Sequence, residues 1–263
     1  TFPGIVPRTL DVLFNSFENN SLQTMKYVFK PDGQNGFEIN PTPDAILQQQ
    51  AEIKANARGP FSTPQSTPLR QLFGNTPRAG VKTLESLQKE WADRQRETVL
   101  AKEIDHDNNY AVFVSYIEVY NNYVYDLLDE QTTTRRSKTI RTDAKNQAYV
   151  EGAVEVEVKG ADEAFNVFLK GTQQRRLAST NLNCESSRSH SVFTIRLVQA
   201  PLDKNGIELF DSQSHIHVSQ LSIVDLAGCE RAGRTKATGD RLNEASNINR
   251  DLMILRDCFR NLR

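Results

Sequence analysis

Two short segments carry residue types suited to phosphate and metal chemistry. The first is Asn183-Cys184-Glu185-Ser186-Ser187-Arg188-Ser189-His190. Its adjacent hydroxyls can divide two tasks. One can ligate Mg²⁺, which prefers hard oxygen donors, while the other orients a water or a phosphate oxygen. Arg188 adds a fixed fork of donors for a carboxylate or a phosphate. The second segment is Leu221-Ser222-Ile223-Val224-Asp225-Leu226-Ala227-Gly228-Cys229-Glu230. An apolar strand ending in Asp225 aims a carboxylate at a metal-bound water. Gly228, three residues on, lets the backbone approach a terminal phosphate and donate its N–H. Glu230 would then lie beside that phosphate. Each segment alone has a plainer reading: a polar hydrogen-bonded loop, and a common strand-to-loop turn.

The elements that must position these residues follow from hydrophobic period. Residues 111–120 are almost all apolar or β-prone, as in a strand buried on both faces. Strands are expected near 123–128, 138–142 and 149–158, and again at 191–199 and 216–225. Residues 5–17 predict a helix opened near Pro7, with Leu10, Leu13, Phe14 and Phe17 on one face. Residues 162–177 predict a second, with Phe165, Phe168 and Leu169 inward. Residues 240–262 predict a third, on which Leu242, Ala245, Ile248, Leu252, Leu255, Phe259 and Leu262 step by three and four. Between about 20 and 105 the pattern differs. Pro60, Pro64, Pro68 and Pro77 amid Gly, Ser and Thr read as a mobile loop. Residues 44–57 and 82–103 read as exposed helices, the latter with a short stripe of Leu84, Leu87 and Trp91. Buried strands mixed with helices imply a layered α/β fold.

The bulk properties exclude several classes. In 263 residues the net charge is -1, so an acidic partner must be met by a local patch. No global excess points to nucleic acid. No run approaches the roughly 18 apolar residues of a membrane span, and Thr1-Phe2-Pro3-Gly4 has no signal-peptide character. Cys184, Cys229 and Cys258 lack zinc spacing and read as reduced cytosolic thiols. His106, His190, His215 and His217 form no metal set.

Read together, the two chemical segments are far more specific than either is alone. Asn-x-x-Ser-Ser-Arg-Ser-His followed about 35 residues later by Asp-Leu-Ala-Gly-x-Glu resembles switch I and switch II of the kinesins. Gly4-Ile5-Val6-Pro7-Arg8 resembles the kinesin stretch after the phosphate-loop helix. Ser115-Tyr116-Ile117-Glu118-Val119-Tyr120-Asn121 with Asp126-Leu127-Leu128 resembles its strand-and-hairpin signature. Leu242-Asn243-Glu244-Ala245-Ser246-Asn247-Ile248-Asn249-Arg250-Asp251-Leu252 resembles the microtubule-facing switch II helix. The expected fold is therefore a partial kinesin-type, P-loop NTPase-like layered α/β domain over 1–263: a central, mainly β sheet flanked by helices. Residues 1–19 would hold the helix after the phosphate loop, 20–108 a long insertion, and 109–263 the core strands, both switches and the switch II helix.

The resemblance implies an ATPase that uses ATP and Mg²⁺. Ser187 would coordinate Mg²⁺, Asp225 would hold a Mg²⁺-bound water, and Ser186 and Asn183 would lie at the γ-phosphate with Gly228. Arg188 and Glu230 would pair to close the site. Its partner would be the microtubule (tubulin), met by Lys145, Arg231, Arg234, Lys236, Asn249 and Arg250. Residues 231–250 carry five basic and two acidic side chains, which suits an acidic track. The long insertion, with Tyr27-Val28-Phe29-Lys30 inside it, resembles the mitotic kinesins of the centralspindlin type. That implies action in cytokinesis at the cytoplasmic spindle midzone, and a homodimer through a coiled coil outside this chain. Thr67-Pro68-Leu69-Arg70 fits a proline-directed kinase site.

The chain also departs from the family. It contains no Gly-x-x-x-x-Gly-Lys-Ser/Thr phosphate loop, so the chain alone is expected to be inactive. Without the phosphate-loop half, the strand ending at Asp225 should be an exposed apolar edge. Arg250-Asp251 stands where the family usually has Lys-Ser. A degenerate kinesin that binds microtubules without ATP turnover is the alternative.

Overall fold

The computed structural model describes residues 4–17, 22–40, 42–57, 84–101, 104–129, 136–181, 188–202, 215–229 and 240–262. Its organising element is β3 (Asn108–Tyr120), preceded by the short strands β1 (Phe29–Pro31) and β2 (Phe37–Ile39). β3 is followed by β4 (Tyr123–Asp126), β5 (Ser137–Lys138), β6 (Ile140–Thr142), β7 (Ala148–Val150) and β8 (Val156–Val158). Two long strands complete the set, β9 (His190–Pro201) and β10 (His217–Asp225). The helices are α1 (Ile5–Asn15), α2 (Thr42–Ala57), α3 (Leu84–Ala92), α4 (Ala161–Asn181) and α5 (Asp240–Asn261).

The main sheet runs β10-β9-β3-β4-β5, with every pair antiparallel. β9 covers one edge of β3 from Asn108↔Pro201 to Val119↔His190. The other edge is shared. β8 takes Val112 to Val114 and β4 takes Ile117 to Tyr120. The turn between β3 and β4 is Asn121-Asn122, with φ of 49° and 66°. Two successive left-handed residues make the mirror-image turn whose twist matches paired strands, and Asn tolerates that conformation. β10 pairs with β9 alone among the described residues. Val218, Leu221 and Val224 on it are exposed, as expected of the strand ending at Asp225.

Alternation along β3 divides the core in two. Val112, Val114 and Tyr116 face α1 and α4 and pack with Leu10, Phe14, Phe165 and Leu169. Gly171 is needed there, because a Cβ would run into the Tyr116 ring. Ala111 and Phe113 face the other way, against Phe29, Phe37, Val198 and Ala200. The β1–β2 hairpin supplying Phe29 and Phe37 lies in the part of the 20–105 segment to which the sequence assigns no element. Two three-residue strands leave little periodic signal, so only their burial reveals them. The predicted strands 138–142 and 149–158 each break in two, and β6 pairs with β7 as a separate small sheet. The predicted loop at 59–80 lies outside the described residues.

The helix expected over 82–103 stops at Ala92, and the chain then runs extended along α1. Trp91 stacks on Phe165 of α4, centroids 3.8 Å apart and 7° between planes. Its indole N–H donates to Asp162 at 2.7 Å. Arg94 lies 3.3 Å over the Trp91 ring and donates to Asp11 of α1 at 2.6 Å, both side chains 4% exposed. Glu97 pairs with Arg8 at 2.8 Å, and the Ala101 N–H donates to Ser16. This strap binds α1 to α4. Removing one member of a buried ion pair strands the other charge. Arg94→Met should therefore lower unfolding free energy by about 3 kcal/mol in urea titrations, and adding Asp11→Leu should recover most of that loss.

Candidate nucleotide-switch site

The start of β9 and the end of β10 lie side by side, Ser191 opposite Asp225. This register brings two segments separated by more than thirty residues to one end of the sheet. Arg175 of α4 joins them. Its guanidinium donates to Asp225 Oδ2 at 2.7 Å, to Ser191 Oγ at 2.9 Å, and to Ser189 Oγ at 3.2 Å. It also donates to the Ser189 carbonyl at 2.7 Å, and Glu118 of β3 approaches it at 3.9 Å. Arg175 is buried, as are Glu118, Ser189 and Ser191. The charge is thus neutralised by carboxylates on two strands and hydrogen-bonded on every side, the condition for burying a guanidinium. The Asp225 side chain remains 71% exposed, so its outer surface stays open to solvent.

A second link ties the same segments. The Ala227 N–H donates to His190 Nδ1 at 3.0 Å, which makes His190 a neutral acceptor on that nitrogen. Burial pushes the His190 pKa below its ordinary value, aided by the Arg175 charge and opposed by Asp251 and Asp225. Arg188 extends away from β9 to Glu244 of α5, 3.2 Å distant, both side chains mostly buried. Arg188, His190, Glu244 and Asp251 line one small cleft between the β9 start and α5. Glu244 Oε1 has no hydrogen-bond partner there. Farther along α5, Asn247 donates to Asn121 at 3.0 Å and Arg250 to Asn122 at 3.1 Å. The left-handed Asn-Asn turn thus presents both side-chain carbonyls to α5.

Of the sequence-predicted residues, Arg188, Asp225 and Gly228 come to this end of the sheet, with Gly228 exposed just beyond β10. Asn249 and Arg250 lie on α5, and Lys145 lies apart from them, exposed at the tip of the β6–β7 hairpin. Asn183, Ser186, Ser187, Glu230, Arg231, Arg234 and Lys236 fall outside the described residues. The described partner of Arg188 is Glu244, where Glu230 was expected. Among the stripe residues of α5 whose burial is described, Ile248 is buried, Ala245, Leu252 and Leu255 are half-buried, and Phe259 and Leu262 are exposed. Among the described residues, only the first half of α5 has hydrogen-bonded contact with the β3–β4 turn. Sequence reasoning missed Arg175. Its signal was a cation placed on the inward face that Phe165, Phe168 and Thr172 define at steps of three and four.

The donor set suits a hydrated divalent cation and phosphate oxygens. It offers one carboxylate held at one oxygen and exposed elsewhere, followed by an exposed glycine backbone. No group of three or more His, Cys, Asp or Glu side chains that could hold a metal ion occurs among the described residues.

Comparison with known proteins agrees with this geometry. The kinesin motor domain family model matches residues 1–263. The chain is 46% identical over 269 residues to "Kinesin-like protein KIF23" of Mus musculus, covering 99% of this chain and 26% of that protein. It is 30% identical over 268 residues to "Kinesin-like protein KIF20B" of Homo sapiens, covering 97% and 14% respectively. The chain thus spans about a quarter or less of these relatives' length. A solved structure described as "kinesin 6" superposes with a TM-score of 0.73 at 39% identity, covering 97% of this chain and 56% of that one. The matched fold, a central, mostly antiparallel sheet flanked by helices, is the one described above. With the paired β9 start and β10 end, and a family match along its whole length, the chain belongs to the kinesin motor domain family.

Proposed function

We propose that this chain forms part of a microtubule-dependent, ATP-hydrolysing motor, in which the β9 start and β10 end act as nucleotide switches. The observation that carries the reading is the Arg175 junction, which bonds Asp225 to the residues flanking His190. In this reading Asp225 and Ser187 would hold a Mg²⁺ ion, Asp225 through a water, and Ser186, Asn183 and the Gly228 N–H would bind the γ-phosphate. When bound, Mg²⁺-ATP supplies the phosphoryl group whose transfer needs mainly positioning and charge stabilisation.

The protein's own residues do the positioning. Arg175 fixes the carboxylate plane of Asp225, and Ser191 shares its charge. The His190 acceptor holds the Ala227 backbone, so the turn leading to Gly228 moves with β9. Arg188 connects that end of the sheet to Glu244. A shift of the switch segments is thereby felt by α5, whose Asn249 and Arg250 would face the track together with Arg231, Arg234 and Lys236. Interfacial cations of this kind speed and orient docking on an acidic surface. The resemblance to centralspindlin-type kinesins adds the finer reading: a long insertion over 20–108, dimerisation through a coiled coil elsewhere, and action at the spindle midzone during cytokinesis.

A microtubule-binding module without turnover is the second reading. The two readings separate in one assay. A longer protein that joins a phosphate loop to this chain should hydrolyse ATP in a microtubule-stimulated manner, and Asp225→Asn should slow it about 10²-fold. Equal rates for Asp225→Asn and its parent would overturn the motor reading. The 263-residue chain alone should show no such turnover.

His190 supplies an independent check on the switch geometry. Its folded pKa lies below the unfolded value, so the unfolded chain takes up the proton first. Stability is therefore complete above about pH 6.5 and is lost as pH falls from there through the folded pKa. Protonation of Nδ1 also removes the acceptor for Ala227. Melting temperatures should drop between pH 7.5 and 5.5, and His190→Gln should show a smaller drop over the same interval.

A further inference from the structure

We propose that the β1–β2 hairpin is a brace that positions the Lys145 loop, with Asn35 as the connecting residue. The two hairpin tips share one construction. In the first, Asp32 N–H donates to the Gly36 carbonyl at 3.1 Å, and Asp32 Oδ1 accepts from the N–H of Gln34 at 2.7 Å and of Gly36 at 2.8 Å. In the second, Asp143 N–H donates to the Gln147 carbonyl at 2.9 Å, and Asp143 Oδ1 accepts from the N–H of Lys145 at 2.9 Å and of Gln147 at 2.8 Å. The fourth residue of each turn is a left-handed Asn: Asn35 with φ 71° and Asn146 with φ 59°. The Asp143 side chain is therefore the internal scaffold of the loop that carries Lys145.

One oxygen of that scaffold is held from outside. Asn35 Nδ2 donates to Asp143 Oδ2 at 2.9 Å. This contact is the leading cause that holds the Asp143 carboxyl below its usual pKa, followed by the backbone donors of its own turn. Asn35 is itself anchored. Its carbonyl accepts from Arg196 Nη2 at 2.6 Å, and Arg196 donates to Glu155 at 2.7 Å. Arg196 is buried and lies 4.6 Å over the Phe37 ring, which packs 4.7 Å from Phe113. A rigid path thus runs from β3 and β9 through Arg196 and Asn35 to Asp143 and the Lys145 backbone. The small β6–β7 sheet is separate from the main sheet, so this path is a tether for an otherwise two-stranded ribbon. Such ribbons are marginal alone.

The inference rests on the reading that Lys145 faces an acidic track, and deepens it. A loop already held in its bound form binds more tightly because less ordering remains to be done. In the full-length protein containing this chain, Asn35→Asp keeps shape and tolerates the left-handed backbone, but sets two carboxylates against each other. Exchange of the Lys145 and Gln147 amides should quicken roughly three- to tenfold. Microtubule co-sedimentation affinity should fall about two- to fivefold, in the direction of Lys145→Ala. Adding Asp143→Asn to Asn35→Asp should restore both, since the new amide donates to the new carboxylate while its oxygen still accepts the two backbone N–H groups. Unchanged exchange in Asn35→Asp, or no recovery in the exchanged pair, would overturn the brace. If Lys145→Ala binds microtubules as its parent does, the track contact fails and with it the brace's role in binding, whatever the exchange rates show.

Discussion

The structure depends on β3 being paired along both edges and buried on both faces. A strand so placed needs side chains that suit two apolar layers, and Val112, Val114 and Tyr116 on one side with Ala111 and Phe113 on the other meet that need. Its pairing with β9 extends over twelve residue pairs, from Asn108 to Val119. A slip of one residue would turn every inward side chain outward. This register places Glu118 opposite Ser191, and the β9–β10 register then places Ser191 opposite Asp225. The chemistry-bearing end of the sheet is thus located by packing that occurs several residues away from it.

Arg175 converts that alignment into a coupled unit. A guanidinium this deeply buried is tolerable only with carboxylate partners and a full set of acceptors. Glu118, Asp225, Ser189 and Ser191 supply both. Because they belong to three different strands, the ends of β3, β9 and β10 cannot shift independently without leaving a buried charge less well paired. The Arg188–Glu244 contact carries the same mechanical link to α5. Asn121 and Asn122 hold that helix against the β3–β4 turn. Helix α5 thus shares polar contacts with the β9 start and with the β3–β4 turn.

The segment between α1 and β3 contributes more than its composition suggests. Phe29 and Phe37 seal the second face of the sheet, while Trp91 and Arg94 close the gap between α1 and α4 on the first. These contacts couple both ends of the segment to the domain's two cores. Residues 59–80 between them lack a hydrophobic period, which is why the composition there reads as loop.

How much was legible locally depended on the range of the interactions. The strand expected at 111–120 and the helices expected at 5–17 and 162–177 leave short-range patterns, because burial repeats every two or every three to four residues, and the hydroxyl-rich loop and Asp-x-x-Gly are short local motifs. Family membership followed from those motifs in order. The sequence alone could not show that Arg175 would meet Asp225 fifty positions later. Nor could it show that Arg188 would reach Glu244, that Asn35 would touch Asp143, or that Phe259 and Leu262 at the end of the α5 stripe would stand exposed. Each of these is a contact, or the lack of one, between elements far apart in the chain. Local propensity determined which segments became strands and helices. Only the tertiary structure decided which charges became neighbours, because that is set by sheet register and helix packing acting over the whole molecule.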